Sequence, residues 1–171
     1  MTRGPNYDLD LAISRIIKAP RQLVWSAWAE PATFGRWWVP APYKCKVVAM
    51  DLHPGGGFVT LMSENDRPFA PHLSACFLDV VPGERIVFTN ALTGGWRPAN
   101  SSYPAPLTAV ITFTDHPEGT EYVCDVMHGN RADCQRHDEL RFFEGWNTVV
   151  GQLAAVVEAR AVHRAEPPST L

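Results

Sequence analysis

The residues of this chain that could do chemistry are its histidines, its cysteines and one arginine beside a tryptophan. His72 lies in the strand-like segment "HLSACFLDVV", where it could act as a polar group or a general base within an apolar interior. Arg97 follows Trp96 in a long loop, where its guanidinium could bind a carboxylate or a phosphate. Histidines at strand ends and arginines in loops are also commonly solvated, so both interpretations stay open.

Zinc-binding residue types occur close together in the segment "HGNRADCQRH". Cys134 and His137 are three positions apart, and His128 precedes them. Structural zinc sites commonly use two matched pairs of ligands, and the chain offers no second pair. We therefore expect no metal site, and no cofactor. The four cysteines lie far apart in the sequence and are expected to be reduced, and most of them buried.

The chain carries no established catalytic motif. It contains neither G-x-S-x-G nor H-E-x-x-H. The glycines of "HPGGGF" do not precede a helix, so they indicate a turn and not a phosphate-binding loop. Whether the protein is an enzyme stays open at this point.

Length and charge limit the partners. The 171 residues are 46% hydrophobic and can bury one core, and the formal charge of −3 comes without a long basic run. This charge pattern argues against nucleic acid and against an anionic membrane surface. With no apolar stretch long enough for a membrane span and no signal peptide, we expect a cytoplasmic protein, monomeric or at most weakly homodimeric.

Hydrophobic periodicity predicts a sheet built from hairpins. The segment "LDLAISRII" alternates apolar and polar residues, as a half-buried strand does. Two short helices follow, beginning at Pro20 and Pro31, and the second is expected to end with the adjacent Trp37 and Trp38. Three strand pairs come next: "KVVAMDL" with "FVTLMSE", "HLSACFLDVV" with "ERIVFTNAL", and "LTAVITFTD" with "TEYVCDVM". Together with the first strand they predict a largely antiparallel sheet of about seven strands.

One long amphipathic helix is predicted from about Arg131 to Ala161, because apolar residues recur there at every third or fourth position. Gly145 and Gly151 lie inside it, and each costs about 1 kcal/mol relative to alanine. We expect either closely packed backbone or space for a bound molecule at these glycines, close packing being the more common case. Trp146 is expected to be among the most buried side chains and a structural anchor.

A helix laid over a curled sheet leaves space between the two layers, so the predicted α+β fold contains an apolar cavity. The predicted domain spans 9–161, with tails at 1–8 and 162–171. The residues expected to contact a ligand are Trp38, His72, Cys76, Trp96, Arg97, Tyr122, Cys124, Phe142, Phe143 and Trp146.

The ordered combination of several segments resembles the START-like (SRPBCC) superfamily, and within it the domain group named after the activator of the heat-shock-chaperone ATPase. The segments are "ISRIIKAPRQLVWSAWAEPATFGRWW", "MDLHPGGGF", "FLDVVPGERIVFTNAL", "GWRPA", "LTAVITF" and "FFEGWNTVVGQLAAVV". The resemblance implies a helix-grip fold, in which a curved antiparallel sheet grips a long C-terminal helix around a cavity. It also implies that one of Trp37 and Trp38 faces the sheet core while the other faces the cavity or the helix.

The sequence differs from this group at "ELRFFEGW". Leu140, Arg141 and Glu144 stand where the group often has Met, Gly and His. Three functions are consistent with the whole pattern. The first is binding of a small, largely hydrophobic or aromatic molecule, the second is an enzyme for an aromatic or polyketide-like substrate, and the third is a chaperone-associated regulator.

Overall fold

Nine strands and four helices follow one another in the computed structural model, which describes residues 6–165. The elements are β1 Asp10–Ile17, α1 Arg21–Ala29, α2 Pro31–Phe34, β2 Lys44–Met50, β3 Gly57–Ser63, β4 Ala70–Val81, β5 Arg85–Thr89, β6 Leu92–Thr93, β7 Arg97–Pro98, β8 Leu107–His116, β9 Gly119–His128, α3 Arg131–Glu139 and α4 Phe142–Ala165. Seven strands form one antiparallel sheet in the order β1-β9-β8-β5-β4-β3-β2. The predicted hairpins and the first strand are thereby confirmed.

Three irregular pairings lie in one half of the sheet. The register shifts once between β2 and β3, once between β3 and β4, and once between β4 and β5. Such bulges bend a strand and increase its twist. The bent half of the sheet is therefore concave, and this shape leaves the space that the helices do not fill.

The two short helices lie between β1 and β2, as predicted, but the second is shorter than expected. It ends at Phe34, and Trp37 and Trp38 lie beyond it in a turn. The backbone N–H groups of both tryptophans still point to the carbonyl of Phe34, each at 3.2 Å. The proline at position 31 begins α2, as proline often does, whereas Pro20 is the residue before α1.

The single C-terminal helix predicted from Arg131 to Ala161 is wrong: two helices occupy this range. The break lies at Leu140 and Arg141, and Arg141 has a φ of +66°. A residue in this left-handed conformation ends the ladder of helical hydrogen bonds, so α3 and α4 run in different directions. We call residues 140–141 the joint. The long helix itself, α4, is confirmed, and it packs against α1 and β1.

The core is centred on aromatic side chains from α1, the turn after α2 and the sheet. Trp28 and Trp37 are fully buried, and the ring of Trp28 lies 5.2 Å from Phe34 and 6.3 Å from Phe58 between centroids. Trp146 is only partly buried against this core. The prediction that it is among the most buried side chains is therefore wrong, because its ring packs against Trp38 and Phe142 but keeps accessible surface.

A two-stranded ribbon, β6 with β7, was not predicted. It packs on the glycines of "HPGGGF", and the N–H of Gly95 donates to the carbonyl of Gly55 at 2.8 Å. A Cβ on Gly56 would lie 1.8 Å from the carbonyl oxygen of Asp51, so only glycine fits there. The turn predicted at these glycines thus also forms the surface against which the β6–β7 ribbon packs.

No helix within residues 6–165 combines the length and the apolar character needed to cross a bilayer. The predicted C-terminal tail, 162–171, falls partly on the last turn of α4 and partly outside the described residues.

Candidate functional site

A cavity of about 270 Å³ lies between the concave half of the sheet, the start of α4 and the long loop before β8. Its walls are formed by Trp38, Pro40, His72, Leu73, Phe88, Asn90, Tyr103, Pro104, Leu107, His137, Leu140, Arg141, Phe142, Gly145, Trp146 and Val149. Most of these side chains are apolar, and several are aromatic. The exposed Tyr103 on one side and the exposed joint on the other form its mouth.

The two adjacent tryptophans face different surroundings, as the resemblance implied. Trp37 is fully buried, and its indole N–H donates to the carbonyl of Ala27 at 3.0 Å. Trp38 borders the cavity, and its ring lies 5.7 Å from that of Trp146 at nearly a right angle. Its indole N–H is buried but has no hydrogen-bond partner within the described part of the chain. Leaving such a donor unpaired costs about 1–3 kcal/mol.

Gln152 on α4 holds the chain segment that follows the tryptophans. Its Nε2 donates to the carbonyls of Trp37 and Val39 at 2.9 and 2.8 Å, and its Oε1 accepts from the N–H of Ala41 at 2.8 Å. The long helix therefore positions the backbone that carries Trp38. One side chain thus couples two walls of the cavity.

Asn90 fixes the opposite wall. Its Nδ2 donates to the carbonyls of Tyr103 and Ala105, and its Oδ1 accepts from the N–H of Leu107 at 2.9 Å. Because all its polar atoms are used in this way, Asn90 is a structural residue although it lines the cavity. The loop it holds carries Tyr103 and Pro104 to the mouth.

Gly145 leaves part of the cavity wall open. A Cβ at this position would meet no atom within 4 Å, whereas a Cβ on Gly151 would make an ordinary contact with Arg15 at 3.7 Å. Of the two alternatives predicted for these glycines, close backbone packing is found at neither of them. At Gly145 the absent side chain widens the cavity.

His72 faces the cavity from β4. Its Nδ1 lies 3.0 Å from the hydroxyl oxygen of Thr60, and its ring is 6.5 Å from that of Trp38. The residue keeps accessible surface, and partial burial of the imidazole lowers the pKa of His72 below its ordinary value. The side chain is therefore a neutral polar group near neutral pH.

His137 reaches the cavity from α3 and is almost fully buried. Burial, with a further contribution from His128, lowers the pKa of His137 from 6.5 to about 4. Its ring packs edge-on against Phe142, with 4.9 Å between centroids. A second neutral imidazole thus borders the same apolar space as His72.

Comparison with protein-family models covers most of this domain. The family described as activator of Hsp90 ATPase homolog 1-like protein matches residues 18–158, which include every wall of the cavity. The chain belongs to this family.

Solved structures share the fold of this Hsp90-activator-homologue-like chain. A crystal structure of a protein from Nitrosomonas europaea is 35% identical in sequence, with a TM-score of 0.80 over 91% of this chain and 98% of that one. A protein from Mycobacterium smegmatis is 22% identical, with a TM-score of 0.72 over 91% and 94% of the two chains. A solution structure from Arthrobacter aurescens is 18% identical, with a TM-score of 0.76 over 90% and 88%. Their descriptions name no ligand and no reaction.

No curated protein sequence matches the chain. The comparisons therefore support the family and the helix-grip fold, and the function has to be argued from the cavity.

Four of the ten residues predicted to contact a ligand line the cavity of this Hsp90-activator-homologue-like protein: Trp38, His72, Phe142 and Trp146. The other six lie elsewhere. Cys76, Tyr122 and Cys124 are fully buried in the core. The hydroxyl of Tyr122 accepts from the indole N–H of Trp28 at 3.3 Å, and burial raises the pKa of Tyr122 and of Cys124 well above the ordinary values.

The remaining three are exposed. Trp96 and Arg97 belong to the β6–β7 ribbon, where Trp96 covers Gly55 and Arg97 faces solvent. Phe143 is 43% exposed and packs its ring against Phe142 outside the cavity. Arg97 was considered as a binding group for a carboxylate or a phosphate, but the arginine that borders the cavity is Arg141. The guanidinium of Arg141 forms an ion pair with the carboxylate of Glu144 at 2.8 Å.

Twelve residues that line the cavity were not among those predicted to contact a ligand. They come from the sheet, the loops, the joint and the helices: Pro40, Leu73, Phe88, Asn90, Tyr103, Pro104, Leu107, His137, Leu140, Arg141, Gly145 and Val149. Two signals existed for part of this set. The long loop that carries Trp96 and Arg97 was considered as a ligand-binding segment, and Gly145 was expected to leave space if it did not pack closely.

The segment with zinc-binding residue types brings His128 and His137 together, and Cys134 is one helical turn away on α3. Within residues 6–165, no three His, Cys, Asp or Glu side chains lie close enough together to hold a metal ion. The absence of a metal in the working protein stays a prediction.

Proposed function

We propose that the protein binds a small, largely hydrophobic molecule in the cavity between the sheet and α4. The observation that carries this proposal is the wall at Gly145, where a helical glycine leaves open space beside Trp146 and Phe142. Gly145 lies in the first turn of α4, where glycine is still a poorer helix former than alanine, and no neighbouring atom would exclude a Cβ there. Space reserved for a ligand explains this glycine directly.

Two further features support the same proposal. The cavity is lined mainly by apolar and aromatic side chains, which is typical of small-molecule sites. The buried indole N–H of Trp38 lacks a partner, and an acceptor on a bound molecule would satisfy it. The proposed ligand is therefore mostly apolar and carries at least one polar group.

The test is a filling series at position 145. Mass spectrometry of compounds released from the purified protein identifies the retained molecule, which is then titrated back into each variant. Gly145→Leu should abolish binding because its side chain occupies the cavity, and Gly145→Ala should weaken binding less.

Gly151→Ala is the matched control, since it also replaces a glycine of α4 but lies outside the cavity wall. It should stabilise the helix by about 0.5–1 kcal/mol without changing affinity. If Gly145→Leu binds the retained molecule as tightly as the parent does, the cavity is not the binding site.

A second candidate function, an enzyme for an aromatic or polyketide-like substrate, is favoured by one observation. His137 borders the cavity as a neutral imidazole, and a neutral imidazole can act as a general base. Incubation of the retained compound with the protein distinguishes the two functions. A product of different mass that fails to form with His137→Asn would favour the enzyme, and an unchanged compound would favour binding alone.

A further inference from the structure

His128 and His137 form a hydrogen-bonded pair at the junction of β9, α3 and the cavity. The Nε2 of His128 lies 2.8 Å from the Nδ1 of His137, and the Nδ1 of His128 lies 2.9 Å from the carbonyl oxygen of Leu9. The two ring planes are nearly perpendicular, at 76°. His128 is itself buried, so its contacts to Leu9 and His137 account for both its ring nitrogens.

The carbonyl of Leu9 determines where the protons of this pair lie. A carbonyl oxygen only accepts hydrogen bonds, so the Nδ1 of His128 must carry the proton. The Nε2 of a neutral His128 is then an acceptor, and His137 donates to it from its own Nδ1. The remaining nitrogen of His137, Nε2, is left without a proton and can only accept.

The environment of the pair keeps His137 neutral. The titratable group that acts on His137 is His128 on β9, and Phe142 of α4, which packs on its ring, is apolar. The carboxylates of Asp8, Asp10 and Asp138 act on Cys134, one helical turn away on α3. Burial is the larger of the two causes for His137 and holds its pKa near 4. At neutral pH the cavity therefore contains a hydrogen-bond acceptor at this place and not a cation.

The Nε2 of His137 has no hydrogen-bond partner within residues 6–165, although the ring lines the cavity. The nearby walls are aromatic: Trp38, Phe88, Phe142 and Trp146. A ligand that fits this lining has a ring system for the aromatic walls and a donor for His137.

We propose that the His128–His137 pair selects aromatic ligands that carry a hydroxyl group, which donates its hydrogen bond to the Nε2 of His137. This inference rests on the proposed function of the cavity and names the class of ligand. His128 acts as a positioning residue, because it fixes the tautomer of His137 through Leu9 without touching the ligand. A compound of the same shape that lacks the donor would leave the acceptor of His137 unpaired.

Three probes that differ in one group test this selection: 2-naphthol, 2-methoxynaphthalene and naphthalene, each titrated by its fluorescence. The parent protein should bind 2-naphthol about tenfold more tightly than 2-methoxynaphthalene, which corresponds to one net hydrogen bond.

Two variants assign the preference to one residue. His137→Asn can keep a donor to His128 from its amide but has no atom at the place of Nε2, so the preference for 2-naphthol over 2-methoxynaphthalene should disappear. His72→Asn, at the other histidine of the cavity, should keep the preference. His137→Phe is the second variant if the asparagine variant does not fold.

The outcomes separate the two proposals. Naphthalene binding that Gly145→Leu abolishes supports the cavity as the site, whatever the hydroxyl group does. Equal affinities of the parent for 2-naphthol and 2-methoxynaphthalene, or a preference that survives at His137→Asn, would overturn the selection by the histidine pair alone. If none of the three probes binds to the parent, both proposals fail for aromatic ligands.

Discussion

Trp28 and Trp146 differ in what surrounds their indole rings. Trp28 is fully buried among aromatic side chains and donates to Tyr122, whereas Trp146 is partly buried and borders the cavity. Trp28→Ala should therefore lower the free energy of unfolding by about 3–5 kcal/mol, the usual cost of emptying a large aromatic from a core. Trp146→Ala should cost only about 1–2 kcal/mol, because less apolar area is removed from packed contact.

Urea unfolding of the two tryptophan variants, with the ligand absent, measures this difference. Trp146→Ala should in addition bind the ligand more weakly than the parent does. Trp28→Ala should show the larger loss of stability. Equal losses of stability in the two variants would show that Trp146 is an anchor after all.

His137 makes stability depend on pH in a defined window. In the unfolded chain its imidazole gains a proton as the pH falls below 6.5, but in the folded protein it does so only near pH 4. Falling pH therefore favours the unfolded state by up to about 3 kcal/mol across this window. His137→Asn removes this contribution and leaves His128, Cys134, Asp138 and Asp10 in place.

Chemical unfolding at several pH values tests the assignment. The free energy of unfolding should fall less between pH 6.5 and 4 in His137→Asn than in the parent. Parallel curves for the two proteins would mean that other groups produce the acid sensitivity.

The sequence identifies which side chains point inward but not which of them meet empty space. Tyr122 and Cys124 were correctly predicted to face the interior, yet α1 packs on β8 and β9 and fills the space over them. Where α1 does not reach, inward side chains such as Phe88 and Leu107 meet the cavity instead. The alternation of apolar and polar residues along a strand does not reveal this difference, because the difference depends on where a helix that is distant in the sequence packs on the sheet.

The joint between α3 and α4 contains a residue in a strained backbone conformation, and this strain lowers the free energy of unfolding. Arg141 adopts a φ of +66°, a conformation that costs about 1 kcal/mol for a residue with a Cβ. Its ion pair with Glu144 is solvent-exposed and contributes little in return. Arg141→Gly should therefore raise the free energy of unfolding by about 0.5–1 kcal/mol.

Arg141→Val is the matched opposite change, because a β-branched side chain is strained further in this conformation. Thermal melting of both variants should place the glycine variant above the parent and the valine variant below it. A glycine variant that melts lower would show that the side chain of Arg141 stabilises the joint more than its conformation destabilises it.

The hydrophobic pattern could not reveal this joint. Apolar residues keep the spacing of a helix from Leu140 onward, across the joint and into α4, and the polar segment before Leu140 contains no glycine or proline between Arg131 and Glu139, so the sequence predicted one continuous element. A single residue in the left-handed conformation changes the direction of the chain without changing that spacing. The segment "ELRFFEGW", where the resemblance implied a departure from the family pattern, contains the joint. The strands of the three predicted hairpins were easier to predict, because the turn in each hairpin contains glycine or proline and is shorter than the two strands it connects.

For the whole molecule, the order of the strands sets the order of local stability. β8 and β9 lie inside the sheet and are covered by α1, whereas β2 is an edge strand and α3 buries only Cys134 and His137. Amides of β8 and β9 should therefore exchange slowest with solvent, and those of α3 among the fastest of the regular elements. Hydrogen exchange followed by NMR measures this order, and protection of α3 equal to that of β9 would contradict it.

The edge strand β2 also bears on the expected monomer. Lys44 and Lys46 stand on it, and charged side chains on an edge oppose pairing with the edge of a second copy. Sedimentation of the purified protein should therefore show one copy per particle. A stable dimer that dissociates on replacing exposed residues of β2 would overturn this prediction.

For a molecule bound as proposed above, we expect the joint to affect how quickly it leaves. One side of the mouth is held by the three hydrogen bonds of Asn90, while the other side ends on α3, a short helix with few buried side chains. We therefore predict that the rate of escape depends on how often α3 separates from the sheet more than on the contacts deep in the cavity. Two ligands of very different affinity would accordingly show similar release rates whenever this opening is the slow step.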